Sequence, residues 1–178
     1  MKKQISIWLA VVLGMALLLS LALPVRAQVN RIQFTAYEYD CFTGLEDDWT
    51  AGQVYHMRGV RHTNINVASV PELNGINTTV ADAEFNLNTG SIVIRGTNSL
   101  QPEGINGTWE GTWQYINNHG VIKGQAVARG TGELSGKSLF TDIYDAPYDP
   151  ETEGMCAGIG LPEGNVISVG YILETGSP

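Results

Sequence analysis

Helical periodicity is the feature this 178-residue chain most clearly lacks. Beyond residue 27 no segment repeats apolar residues every three to four positions. That excludes a helical bundle and any parallel sheet built on crossover helices. With no Gly-rich loop leading into a helix there is no phosphate cradle, and no nucleophile motif is present. No helix carries metal ligands, and EF-hand spacing is missing. Basic residues are also scarce: Lys and Arg number 10 against 18 Asp and Glu, a net charge of −8. Such a balance repels phosphate backbones and anionic lipid, so nucleic acid is excluded as a partner. After Leu23 no apolar run is long enough to cross a bilayer. Only two cysteines and three histidines occur.

The chain opens with Lys2 and Lys3, followed by 19 uncharged residues from Ile5 to Leu23. Pro24-Val25-Arg26-Ala27 then places small residues where a signal peptidase reads. Residues 1–27 therefore read as a secretory signal peptide cleaved after Ala27. The apolar run also approaches the length of a membrane span, so a retained N-terminal anchor is the alternative. Cleavage leaves one domain, residues 28–178, with 7 basic against 18 acidic residues. The expected destination is secreted, periplasmic or at the cell surface, with no membrane contact after cleavage. A domain of this length buries about two-thirds of its unfolded surface, enough for a true core. In an oxidising compartment the even cysteine count predicts a Cys41–Cys156 disulfide, with two unpaired buried thiols as the alternative.

Gly, Thr, Val, Ile and aromatics cluster in short runs, the composition of an all-β chain. Asn30 to Tyr39 alternates, with Ile32, Phe34 and Ala36 on one face. Gln53 to Val70 is one long extended stretch or two strands, stopped by Pro71. Val80 to Leu87 alternates cleanly, and Asn88-Thr89-Gly90-Ser91 turns the chain. Pairing Leu87 with Ile92 sets Phe85 against Ile94 and Ala83 against Gly96, so both inner faces agree. The next hairpin sends Trp109, Gly111, Trp113 and Tyr115 one way. A four-residue loop, Asn117-Asn118-His119-Gly120, pairs Ile116 with Val121 and sets Trp113 opposite Gly124 and Trp109 opposite Ala128. Leu134 to Tyr144 and Val166 to Glu174 add strands. Cys41 to Thr50 and Asp145 to Asn165 read as polar, turn-rich insertions. Eight strands, or nine, linked by short turns predict an antiparallel up-and-down β-barrel with one disulfide.

Gly107-Thr108-Trp109-Glu110-Gly111-Thr112-Trp113, a hairpin, and then Gly130-Thr131-Gly132-Glu133-Leu134-Ser135-Gly136 resemble allene oxide cyclase-like barrels, which include the plant dirigent proteins. The resemblance covers about 30 residues and rests on Gly and aromatic placement. It implies a small eight-stranded barrel whose ligand binds at the mouth. No catalytic residue of that group maps onto a numbered position here. The repeated Gly-x-Trp also resembles the lipocalin and avidin signature, which in lipocalins marks the first strand rather than the middle of the chain.

Several residues are candidates for a site. Trp109, Trp113 and Tyr115 line the inferred interior, as core filling or as an aromatic ligand pocket. His56 and Arg58 alternate with Tyr55, Met57 and Gly59. If the odd positions face inward, His56 and Arg58 are solvated. If the even positions do, Glu38, His56 and Arg58 form a proton-transfer and anion-orienting set. His62 and His119 are assigned no role. A disulfide would bring two acidic insertions to one end of the barrel: Glu46, Asp47 and Asp48 beside Cys41, and Asp142, Asp145, Asp149, Glu151 and Glu153 before Cys156. There they form a solvated rim or take Ca²⁺. No metal centre or cofactor is expected otherwise. Asn77-Thr78-Thr79 and Asn106-Gly107-Thr108 match glycosylation sequons. These observations favour a secreted barrel that binds a small apolar or aromatic molecule or serves a structural role. The alternatives are a cyclase or isomerase acting on a small hydrophobic substrate, and an interaction module with an acidic rim.

Overall fold

The computed structural model describes residues 29–147 and 152–175, so the proposed leader lies outside the described residues. Nine antiparallel strands form one sheet: β1 (Val29–Gly44), β2 (Asp47–Ala51), β3 (Val54–Ala68), β4 (Gly75–Asn86), β5 (Ile92–Pro102), β6 (Trp109–Asn118), β7 (Val121–Gly130), β8 (Lys137–Asp145) and β9 (Leu161–Thr175). Each pairs with its chain neighbour from β2 to β9. β9 then pairs with β1, and β1 returns to β3, closing an eight-stranded barrel. Closure matters because it removes the unpaired edges an open sheet would present. β2 is the ninth strand. It pairs with the first half of β3, Val54 to Arg58, while β1 takes the second half, Arg61 to Ala68. The segment expected to be a turn-rich insertion after Cys41 is therefore mostly strand.

Outside β3, period-2 alternation assigns the inner faces as expected, but two registers differ from the expected ones by two residues. In the β4–β5 hairpin Phe85 faces Ile92, Ala83 faces Ile94 and Ala81 faces Gly96. The turn is longer because Asn86 organises it: its Oδ1 accepts the backbone N–H groups of Asn88 and Thr89, each at 3.0 Å. In the β6–β7 hairpin the error runs the other way. Strand pairing continues to Asn118–Val121, leaving only His119-Gly120 as the loop. Both residues have positive φ, 53° and 83°, the geometry of a two-residue turn whose twist matches its strands. A slip of two preserves the face, so large residues still oppose small ones: Trp109 with Gly130, Trp113 with Ala126, Tyr115 with Gly124.

One end of the barrel is sealed by its core. Trp109 and Ile172 are fully buried among Phe34, Leu73, Leu100, Leu134 and Leu139. A short 3₁₀ turn, Pro71–Leu73, plugs this end and inserts Leu73. The indole N–H of Trp109 donates to the Glu72 carbonyl oxygen at 2.8 Å, so the plug is held by its own backbone. Lys137 Nζ reaches Glu174 at 2.7 Å and Glu72 at 3.5 Å from the rim. Near the other end Cys41 and Cys156 form the expected disulfide, with Cα atoms 5.5 Å apart. It fastens the one-turn helix α1 (Thr152–Met155) and the following residues to the end of β1.

Candidate functional site

The barrel interior holds a cavity of about 80 Å³ between the sealed end and the disulfide end. Phe34, Leu73 and Leu100 form its buried floor, whereas His62, Trp113 and Tyr115 near the opposite end are partly exposed, so it opens there. The space suits a few water molecules or the buried end of a small ligand.

Its lining is divided by strand. β1, β3, β4 and β5 contribute Glu38, Asp40, His62, Asn64, Asn66, Asn77, Thr79 and Asn98. Cross-strand pairing sets these side by side: Glu38 with Asn66, Asp40 with Asn64, Asn64 with Asn77, His62 with Thr79, and Thr79 with Asn98. The opposing wall, from β6 to β9, is mainly apolar and aromatic: Trp113, Tyr115, Ala126, Leu139, Ile143 and Val166, with Thr141 and Ser168 as its polar members. Trp113 and Tyr115 stack with ring centroids 5.5 Å apart, and Gly96 leaves the room that the Trp113 ring occupies. Trp113 donates its indole N–H to the Thr97 carbonyl oxygen at 3.3 Å, which fixes the ring.

A backbone irregularity in β3 creates the polar wall. Up to Met57 the odd positions face inward, with Met57 packed on Ala81, Ala83 and Ile94. Between Met57 and Val60 the register with β4 shifts by one residue at a β-bulge. Gly59 takes φ +63°, a left-handed conformation that strongly favours glycine. The Asp82 carboxylate accepts its N–H at 3.0 Å. From Val60 onward the even positions face inward, which delivers His62, Asn64 and Asn66 to the cavity. Neither single-parity expectation for this strand describes it.

Among the expected catalytic candidates, the structure places Glu38 in the interior and leaves His56 and Arg58 outside. They precede the bulge and point outward, where His56 stacks on Trp49 at 4.9 Å and Arg58 lies 5.6 Å from the same ring. His56 also meets Glu84 at 3.8 Å. The set Glu38, His56 and Arg58 is therefore not assembled. His62, assigned no role from sequence, lines the cavity instead, with its Nδ1 3.4 Å from the Thr79 hydroxyl. Of the three aromatic ligand candidates, Trp113 and Tyr115 line the cavity, whereas Trp109 is sealed in the core beneath it.

Glu38 borders the cavity, so it keeps some accessible surface, yet protein packs around it. Burial raises its carboxyl pKa above the usual 4.5, partly offset by hydrogen bonds from Ser168 and Asn64. Ser168 donates its hydroxyl to Glu38 Oε1. Asn64 likewise donates, which leaves its own amide oxygen over. The side-chain oxygens of Asn64, Asn66, Asn77 and Asn98 are buried without a hydrogen-bond partner. An unmet buried acceptor costs about 1–3 kcal/mol. Four around one cavity are therefore a demand for donors from whatever fills it. The burial of Asn77, 6% exposed, also removes the first sequon as a glycan acceptor.

The acidic insertions present less than their sequence suggests. Glu46 pairs with Arg61 at 2.5 Å, and Asp48 accepts the Tyr55 hydroxyl at 2.7 Å. Asp142 accepts from Gln125 at 3.2 Å. No group of three or more His, Cys, Asp or Glu side chains able to hold a metal ion occurs among the described residues. Asp149, Glu151 and the side chain of Glu153 lie outside the described residues. Among the described residues no helix is long and apolar enough to cross a membrane.

Comparison with protein-family models, with curated proteins and with solved structures found no match. The fold is established as a closed antiparallel barrel with a disulfide, and no finding ties it to the allene oxide cyclases or dirigents in particular.

Proposed function

We propose that this is an exported barrel that binds one end of a small amphipathic molecule in its interior. The observation that carries the reading is the two-walled cavity, with stacked Trp113 and Tyr115 facing a polar wall of unpaired amide oxygens. A barrel with a purely structural role gains nothing from buried acceptors that lack partners, whereas a binding site uses them to orient its ligand. The apolar or aromatic part of the ligand rests on Trp113 and Tyr115, and its polar end meets the asparagines. The cavity is smaller than a typical pocket of roughly 300–1,000 Å³, so the ligand is small or only partly enclosed. Binding at a barrel mouth is also what the resemblance of the Trp-Gly hairpin to allene oxide cyclase-like barrels implies. Export is supported by the leader pattern of residues 1–27 and by the disulfide, which persists in oxidising compartments.

Ligand-detected NMR with phenol and indole as probes tests the reading. Both should show saturation transfer from the protein. The signal should vanish in Ala126→Phe, because Ala126 lines the cavity opposite Trp113 and the added ring fills it. No transfer to either probe, or transfer that survives in a folded Ala126→Phe protein, would sink it.

A further inference from the structure

We propose that the cavity is a site for a primary ammonium group, the charged head of a small amine. The head is held by the amide oxygens of Asn64, Asn66, Asn77 and Asn98 beside the Glu38 and Asp40 carboxyl groups. The amine's apolar body lies on Trp113 and Tyr115. This inference rests on the binding reading above and names the chemistry of its ligand.

Three observations converge on it. The first is the sign of the unmet hydrogen bonding: the four asparagine atoms without partners are all acceptors. Asn64, Asn66 and Asn77 are each more than nine-tenths buried, at 7%, 8% and 6% exposure, and all line the cavity. An ammonium carries three donors and no acceptor. It meets such a wall without adding unpaired acceptors, whereas water or an alcohol brings lone pairs that need donors in turn. The second is charge. Glu38 and Asp40 line the cavity, and among the described residues no Lys or Arg does. An anion placed here would face carboxyl groups and amide oxygens with no lysine or arginine to balance it. The third is the opposite wall, where the faces of a tryptophan and a tyrosine attract cations as well as apolar groups.

The arrangement also fixes the direction of the pH dependence. A protonated Glu38 is neutral, and an ionised Glu38 attracts the ammonium. The other titratable groups in the lining are Asp40 on β1, His62 on β3 and Tyr115 on β6. β4, β5, β7, β8 and β9 contribute none to it. Affinity for an amine should therefore rise as pH increases above the ordinary carboxyl range. Ionisation of Glu38 sets that direction. Above roughly pH 10 the amine itself loses its proton and affinity falls. Glu38→Gln tests this, because it removes the carboxyl and leaves the rest of the lining in place.

The experiment is a head-group series on the unmodified protein, followed by calorimetry or by shifts of the Trp113 and Asn side-chain NMR signals. n-Butylammonium, 1-butanol and butyrate share a body and differ at the head. Butylammonium is expected to bind at least tenfold more tightly than butanol at neutral pH, and butyrate not at all. Asn66→Leu combined with Asn77→Leu should weaken butylammonium at least tenfold. Glu38→Gln should weaken it and flatten the rise with pH. Equal or tighter binding of butanol or butyrate would overturn the ammonium assignment while leaving a ligand pocket in place. No binding of any of the three at millimolar concentration, together with no transfer to phenol or indole, would overturn both and leave a hydrated interior.

Discussion

Breaking the Cys41–Cys156 bond should remove a third or more of the stability of this barrel. The link closes a loop of 115 residues. In the chain-entropy model that restriction of the unfolded chain is worth about 16 cal/mol/K, or about 4.8 kcal/mol at 25 °C. Domains of this kind are stable by only about 5–15 kcal/mol in total, so the loss is a third or more of the whole. Both cysteines are buried, Cys41 at 0% and Cys156 at 1% exposure, so Cys41→Ala with Cys156→Ala also loses packing around the sulfurs. The reduced wild-type protein keeps those sulfurs and loses only the covalent link. Comparing oxidised, reduced and double-alanine proteins therefore separates the two effects. Urea unfolding followed by circular dichroism measures each. With a slope near 2 kcal/mol per molar, typical for urea, the reduced protein should unfold about 2 M earlier than the oxidised one. A shift below about 0.5 M at unchanged slope would refute the reasoning. It would mean that α1 and the residues after it detach from β1 on reduction while the barrel persists, so that the bond secures an excursion rather than the fold.

Glu38→Gln should stabilise the protein at neutral pH and flatten its stability profile. The folded carboxyl titrates above the ordinary 4.5, so the folded state holds more protons than the unfolded one. Stability then falls as pH rises from about 4.5 through the folded pKa. Melting temperatures of wild type and variant should converge at pH 4 and separate above it, and a gap that widens toward low pH would contradict this. Trp109→Ala should cost about 3–5 kcal/mol in urea unfolding, as for a large core residue. Trp109→Phe should cost about 1–3 kcal/mol, because the Glu72 carbonyl loses its donor. Trp113→Ala should cost clearly less than Trp109→Ala, since Trp113 borders a cavity and is partly exposed; equal losses would mean that both rings are simply core.

The architecture was legible because its signals are local. Alternation, turn residues and opposed large and small side chains each span a few residues, and together they specify an antiparallel barrel. The disulfide followed from cysteine arithmetic. Registers were missed by two because loop length was read from turn-forming residues alone. Asn117 and Asn118 are such residues, yet β6 pairs through both. Asn86 is another, and its side chain lengthens the following turn by capping two N–H groups. The interior site was hidden for a different reason. Glu38 is readable from sequence, because it continues the alternation of Ile32, Phe34 and Ala36 along β1. His62, Asn64 and Asn66 are not, because a bulge changes which alternate set faces inward. Arg58-Gly59 is the one local trace of it, since a glycine within a β-rich run marks a bend or bulge.

That bulge has a further consequence for how the cavity's chemistry is encoded. Gly59 contributes no side chain to the interior, yet it works like a reading frame for all of β3 beyond it. Were β3 to pair with β4 straight through, with Gly59 kept but not bulged, the strand beyond it would run in the other frame, withdrawing His62, Asn64 and Asn66 and presenting Arg61, Thr63, Ile65 and Val67 in their place. A row rich in hydrogen-bond acceptors would become one with a guanidinium and two branched aliphatics. The character of the cavity thus depends on one residue being held out of the ladder as much as on the identity of any residue that lines it.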